Sequence, residues 1–148
     1  MKVSTKVEYG LIALTDIAIH SEKGKSVSTA EISERQNISQ KYLEQILPLL
    51  RQAGFIKAQK GKRGGYKLSV SMAEVSMSDV FNALDGSILA EMYGENEEQK
   101  GELAPVINDC LWRKINRYLI EFASNLTLEE FVFRCRDSIS GGWSMYVI

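Results

Sequence analysis

The side chains in this sequence best placed to do chemistry are polar, cationic and small rather than nucleophilic. Ser39-Gln40-Lys41-Tyr42, with Glu44 and Gln45 one turn on, gathers amides, hydroxyls and a carboxylate where a helix should begin. Such groups exchange hydrogen bonds with base edges: glutamine pairs with adenine, and a carboxylate accepts from a cytosine amino group. Further along, Lys60-Gly61-Lys62-Arg63-Gly64-Gly65 joins three cations to three glycines. Cations hold phosphate oxygens, and glycine lets bare backbone approach them. Catalysis has little to work with. His20 is the single histidine, so no Ser–His or Cys–His pair with an orienting acid can be assembled. The glycine-rich stretch also lacks the Gly-Lys-Ser/Thr ending of a nucleotide loop.

Charge is unevenly spread. Residues 1–69 hold twelve Lys/Arg against six Asp/Glu, a net of +6, and residues 70–148 hold six against thirteen, a net of −7. The whole chain nets −1. That asymmetry directs the first part toward an anion such as nucleic acid. At 148 residues, 45% hydrophobic and 25% charged, the chain suits one folded domain, or a small domain with an appendage. No apolar run is long enough to span a bilayer, so no membrane partner is expected. Glu8 and Asp16 interrupt the first apolar stretch, which argues against a signal peptide. Two cysteines, Cys110 and Cys135, are too few for a disulfide scaffold. The expected compartment is the cytoplasm.

The elements that must position these groups can be read from periodicity. Val7, Leu11, Leu14 and Ala18 place one apolar face on a helix over 5–20, with His20 at its C-terminal end, where a cation suits the dipole. Ser28 and Glu31 form a capping box for a short second helix, and Asn37 suits its left-handed end. Ser39 caps a third helix with its apolar face on Leu43, Ile46, Leu47 and Leu50. Pro48 predicts a kink or an early end there, and Gly54 a stop. Phe55–Gln59 and Tyr66–Val70 read as strands flanking the basic loop. A further helix runs from Ser76 to Leu84, and an acidic, poorly patterned stretch covers 87–104. Helical period returns from Pro105, where Leu111, Ile115, Tyr118 and Phe122 form a stripe widened by Trp112 and Leu119. Thr127 caps a last helix, and the tail from Gly141 to Ile148 looks extended and apolar. Three helices followed by two strands around a basic loop is the order of a winged helix-turn-helix. The fold class is therefore mainly α with a small β-hairpin wing, and the function that fits is DNA binding.

Several runs also resemble a known family. Met1-Lys2-Val3-Ser4-Thr5-Lys6, Ile32-Ser33-Glu34-Arg35-Gln36, Tyr42-Leu43-Glu44-Gln45-Ile46-Leu47 and Gly64-Gly65-Tyr66 are similar to the bacterial Rrf-two winged-helix regulators, the grouping of IscR, NsrR and CymR. Leu111-Trp112-Arg113 and Leu126-Thr127-Leu128-Glu129-Glu130 extend the likeness over nearly the whole chain. The resemblance implies a homodimeric transcription factor, a repressor, bound to a near-palindromic operator in double-stranded DNA. Lys2, Ser4 and Lys6 would lie near phosphates. Ser39, Gln40, Tyr42, Glu44 and Gln45 would sit at or beside base edges, with Ser28 and Lys41 in the same DNA-facing set. Lys60, Lys62, Arg63, Gly64, Gly65 and Tyr66 would form the wing's contact. Leu111, Trp112, Ile115, Tyr118, Leu119 and Phe122 would build the dimer. The implied division is a DNA-binding head over 1–85, an acidic linker over 86–104, and a dimerisation helix with a regulatory segment over 105–148.

One departure from the family pattern bears on cofactors. IscR and NsrR hold an iron–sulfur cluster through three closely spaced cysteines ahead of the long helix, and residues 87–109 contain no cysteine. One thiol cannot hold a cluster that needs several soft ligands, so the expectation is no cofactor and no metal site. The chain resembles the cluster-free CymR type, as does its tail ending in Val147 and Ile148. That type implies sulfur or cysteine control, with a partner enzyme of cysteine synthesis as signal; the acidic stretch and apolar tail are the segments that would dock it. Glu8, at a position some members use as a cluster ligand, reads as an exposed helix residue. Cys110 reads as a buried structural thiol, with a redox or metal sensor as the alternative.

Overall fold

The computed structural model describes residues 3–90 and 101–141. Lys2, most of the acidic stretch and the tail beyond Gly141 lie outside the described residues. Helix α1 (Thr5–His20) starts where the Ser4 hydroxyl accepts the Val7 N–H, and buries Val7, Ala13, Leu14, Ile17 and Ala18. Helix α2 (Thr29–Gln36) opens on the expected capping box, Ser28 accepting from Glu31 N–H and Glu31 from Ser28 N–H. It ends on Asn37, which takes the left-handed conformation at φ 54°. Helix α3 (Gln40–Gln52) is capped by Ser39 and packs Leu43, Ile46, Leu47 and Leu50 into the core.

Helix α3 does not end early at Pro48. It continues to Gln52, because buried residues on both sides of the proline hold the two turns against the core. Gly54 then turns the chain at φ 83° into the hairpin of β1 (Ile56–Gln59) and β2 (Gly65–Leu68), paired antiparallel with Ile56 opposite Leu68 and Gln59 opposite Gly65. Val27 adds a third, one-residue rung: its N–H donates to Tyr66 O at 2.8 Å and its carbonyl accepts from Tyr66 N–H at 2.7 Å. The hairpin is thereby fastened to the segment that leads into α2.

Helix α4 (Met77–Leu84) follows a second capping box, Ser76 with Asp79. It leads to a short 3-10 turn over Gly86–Leu89, capped by Asp85. The C-terminal part begins at Leu103, two residues before Pro105. The proline falls in the first turn, where its missing N–H would have had no partner in the helix. Helix α5 (Leu103–Ile107), a π turn (Asn108–Trp112) and α6 (Arg113–Asn125) run end to end, about 35 Å at the rise of an α-helix. Helix α7 (Leu128–Gly141) then folds back, capped by Thr127, whose hydroxyl accepts the Glu130 N–H.

Packing does not stop at residue 85. Leu128 and Val132 of α7 share one core with α1, α2, α3 and α4. Met77 N–H donates to Leu126 O at 2.8 Å, and Leu128 N–H to Val75 O at 2.7 Å. The result is a mainly helical winged-helix fold with a two-stranded wing and C-terminal helices laid back on the head. Among the described residues no helix is long and apolar enough to cross a membrane.

Candidate nucleic-acid interface

Helix α3 divides cleanly between two faces. Leu43, Ile46, Leu47 and Leu50 are buried, and Gln40, Lys41, Glu44 and Gln45 are exposed. Those four exposed side chains therefore carry no part of the core. Two members of the expected set have other work. The Ser39 oxygen accepts the Tyr42 N–H at 3.1 Å as the helix cap. Tyr42 is half-buried, its ring set edge-on to that of Tyr9 with centroids 5.2 Å apart, which packs the start of α3 against α1.

The wing leaves Lys60, Lys62 and Arg63 exposed at its tip. Its glycines are required by the protein itself. A β-carbon on Gly64 would lie 2.7 Å from Gln59 O and 2.8 Å from Gly61 O. One on Gly65 would lie 2.4 Å from the carbonyl oxygen of Val27. The sequence pattern assigns these glycines to close approach of phosphate; the structure gives them a reason inside the hairpin. Tyr66 is half-buried and spends its backbone groups on Val27.

At the start of α1, Lys6 is exposed, and the Ser4 hydroxyl points to Asp85 Oδ2 at 3.4 Å. Hydrogen bonds from the Ser87 hydroxyl and N–H hold the Asp85 carboxyl below the ordinary carboxylate range, with smaller help from Lys6 and Ser4. Ser28 is committed to its capping box.

Sequence reasoning missed one cluster. Asp16 sits in the buried face of α1, and its carboxylate accepts from Arg35 Nε at 3.0 Å, Arg35 Nη2 at 2.8 Å and Gln36 Nε2 at 2.8 Å. Burial alone would raise its pKa. The hydrogen bonds from Arg35 and Gln36 and the Arg35 charge outweigh that and hold it below the ordinary range. His20 closes the cluster, Nδ1 lying 2.9 Å from the Asp16 carbonyl. The signal was available: a carboxylate inside an apolar stripe must find partners.

The expected dimer stripe is split between two faces. Trp112, Ile115 and Leu119 are half-buried, whereas Leu111 is 45% exposed, Phe122 65% and Tyr118 72%. Leu103, Val106 and Ile107 are exposed as well. Phe122 also borders an apolar groove of about 620 Å³ between α1, α4, α6 and α7, lined with Leu11, Phe81, Phe131 and Ile139. Cys110 is exposed rather than buried; it sits in the π turn beside the outward-facing Leu111.

Residues 3–134 match the Rrf2 family, described as an iron-dependent transcriptional regulator. The chain belongs to the Rrf2 family. It is 37% identical over 133 residues to the HTH-type transcriptional regulator IscR of Vibrio vulnificus, covering 89% of this chain and 77% of that protein. Its fold is similar to that of CymR, the global cysteine regulator of B. subtilis, with a TM-score of 0.78 and 30% identity over 90% of this chain and 98% of that one. It is also similar to T. potens IscR, with a TM-score of 0.73 and 30% identity over 99% of this chain and 97% of that one. As an Rrf2 protein, the chain is a DNA-binding transcriptional regulator and not an enzyme.

The Rrf2 description raises the question of iron, and the donors present do not suit a cysteine-ligated cluster. The chain's two thiols lie on different elements, Cys110 in the π turn and Cys135 on α7. Burial pushes the Cys135 thiol up, away from the thiolate a metal needs. His20 is engaged with Asp16. Among the described residues, no three His, Cys, Asp or Glu side chains gather as a metal site.

Proposed function

We propose that this Rrf2 protein is a homodimeric repressor that reads DNA sequence with α3 and works without an iron–sulfur cluster. The observation that carries the reading is α3 itself: its apolar face is buried, and Gln40, Lys41, Glu44 and Gln45 are left to the outside. Gln40 and Gln45 bond to base edges, and Glu44 accepts from a cytosine amino group or excludes other bases. Lys6 from α1 and Lys60, Lys62 and Arg63 from the wing hold phosphates, which sets position without reading sequence. Ser4, Ser28, Ser39, Tyr42, Gly64, Gly65 and Tyr66 support that surface from within the fold.

A second copy covers Leu111, Tyr118 and Phe122 and the groove beside Phe122. So much exposed apolar surface on one helix is more than a monomer ordinarily leaves to water. Two heads then face successive major grooves of a near-palindrome. The likeness to CymR, the global cysteine regulator of B. subtilis, supports control of sulfur or cysteine metabolism. The donor set supports a regulator whose signal is not a bound cluster.

The test is selection of duplexes from a random library by the unmutated protein, followed by titration of the selected and a scrambled duplex. Recovery of a two-fold symmetric site bound by one dimer is expected. Equal affinity for both duplexes overturns the reading of α3.

A further inference from the structure

Among the described residues Asp16 is the only charged side chain in the core. Its three hydrogen bonds come from Arg35 and Gln36, the last two residues of α2. Next in the chain is Asn37 in its left-handed conformation, and Ser39 then caps α3. The cluster therefore grips, from α1, the turn between the two helices of the helix-turn-helix. Helix α1 makes two further connections: Tyr9 meets Tyr42 at the start of α3, and Ser4 and Lys6 stand at its N-terminal end. One rigid helix thus links the phosphate-facing end of the head to both ends of the turn that aims the reader.

We propose that Asp16, Arg35 and Gln36 are positioning residues for DNA recognition: gripping the turn from α1 fixes the direction of α3, so that base-edge and phosphate contacts engage together. This rests on the reading of α3 as the sequence reader. A buried ion pair adds little net stability compared with apolar residues of the same volume; what a two-pronged guanidinium–carboxylate contact supplies is a defined angle. The pairing also removes Arg35 from the cations available to phosphate, although it belongs to the basic first part of the chain.

The test uses the full-length chain with the duplex selected from a random library by the unmutated protein, and a scrambled duplex of equal length. Asp16→Asn, Arg35→Gln and Arg35→Lys are titrated on both at temperatures where circular dichroism shows each folded. The double variant Asp16→Asn/Arg35→Gln, which leaves no charge buried alone, serves where a single variant fails to fold. Asp16→Asn and Arg35→Gln are each expected to weaken binding to the selected duplex on the order of tenfold, the effect of removing one good base interaction. Binding to the scrambled duplex stays within about twofold, since phosphate contacts do not depend on the aim of α3. Arg35→Lys recovers only part, because an ammonium cannot form the two-pronged contact. The double variant discriminates no worse than either single one, as members of one contact should. Equal losses on both duplexes, or an unchanged ratio in every folded variant, overturn the proposal. So does an Arg35→Gln variant that alone weakens both duplexes and flattens the salt dependence, for Arg35 would then be a phosphate contact. Failure of the unmutated protein to distinguish the duplexes is a separate result and overturns the reading of α3 itself.

Discussion

Replacing Gly65 by alanine should loosen the wing from the body of the protein. The added carbon would lie 2.4 Å from the Val27 carbonyl oxygen, about 0.9 Å short of the roughly 3.3 Å at which carbon and carbonyl oxygen normally meet. The obstacle is backbone, so no side chain can turn aside. Moving the strand outward by that amount stretches the two hydrogen bonds between Val27 and Tyr66, now 2.7 and 2.8 Å, beyond useful length. Each contributes about 0.5–1.5 kcal/mol net, so the pair is worth about 1–3 kcal/mol. Alanine recovers up to about 1 kcal/mol by restricting the unfolded chain. The middle of the resulting range is a net loss of about 1.5 kcal/mol, or roughly 3–6 °C in Tm for a chain of this size. Gly86→Ala, which has nothing within 4 Å of the new carbon, is the control and should stay within about 0.5 kcal/mol. Scanning calorimetry reads the stability, and amide exchange at Val27 and Tyr66 reads the rung. DNA affinity should fall on selected and scrambled duplexes alike, as Lys62 and Arg63 lose their mounting. A Gly65→Ala protein that melts with the unmutated one and protects both amides equally would refute this account of the wing.

Five other outcomes follow from the same structure. Lys62→Ala or Arg63→Ala should weaken binding on most sequences and lower the salt slope by up to about one unit for each phosphate no longer neutralised. Gln40→Ala or Gln45→Ala should cost about 1–3 kcal/mol on the selected duplex alone, and Glu44→Ala should reduce discrimination while raising non-specific affinity slightly; duplex titrations at two salt concentrations separate these classes. Tyr118→Asp places a charge on a side chain that the single chain leaves exposed, so light scattering should show monomers whose circular dichroism is unchanged; a dimer that survives points to a different interface. Asp16 is held below its unfolded pKa, so its stabilisation is present above about pH 4 and is lost as pH falls through the folded value; Asp16→Asn should flatten that acid limb of the Tm–pH curve. Anaerobically purified protein should be colourless and without stoichiometric iron, and iron that disappears on replacing Cys110 would restore a sensor role for that thiol.

Features whose causes are local were legible from sequence. The bounds of α1, the Ser28–Glu31 capping box, the left-handed Asn37, the Gly54 turn and the paired strands depend on residues within a few positions of one another. The two faces of α3 were legible for the same reason. What escaped was settled at long range. The partners of Asp16 lie 19 and 20 residues away on another helix. Helix α3 runs through Pro48 because the tertiary core outweighs one missing hydrogen bond. Gly65 looked like a site of phosphate approach because its close neighbour, Val27, is distant in sequence. Cys110 is exposed, and it lies in a π turn that no periodicity rule anticipates.

The π turn also has a consequence for phase. Leu103, Ile107 and Leu111 are spaced by four, and in an α-helix each such step drifts about 40° around the axis. Over several steps the stripe would wind away from Tyr118 and Phe122. The wider turn at Asn108–Trp112 takes back nearly one residue of rotation, roughly 90°, and brings the early and late parts of the stripe onto one line. It acts as an inserted residue that retunes the helix. Removing one residue there would restore a regular α-helix and leave Leu103 and Ile107 in line with Tyr118 and Phe122, because the deletion takes away the same rotation that the wide turn absorbs. The wide turn thus lets the helix carry one residue more than its apolar line requires without breaking that line.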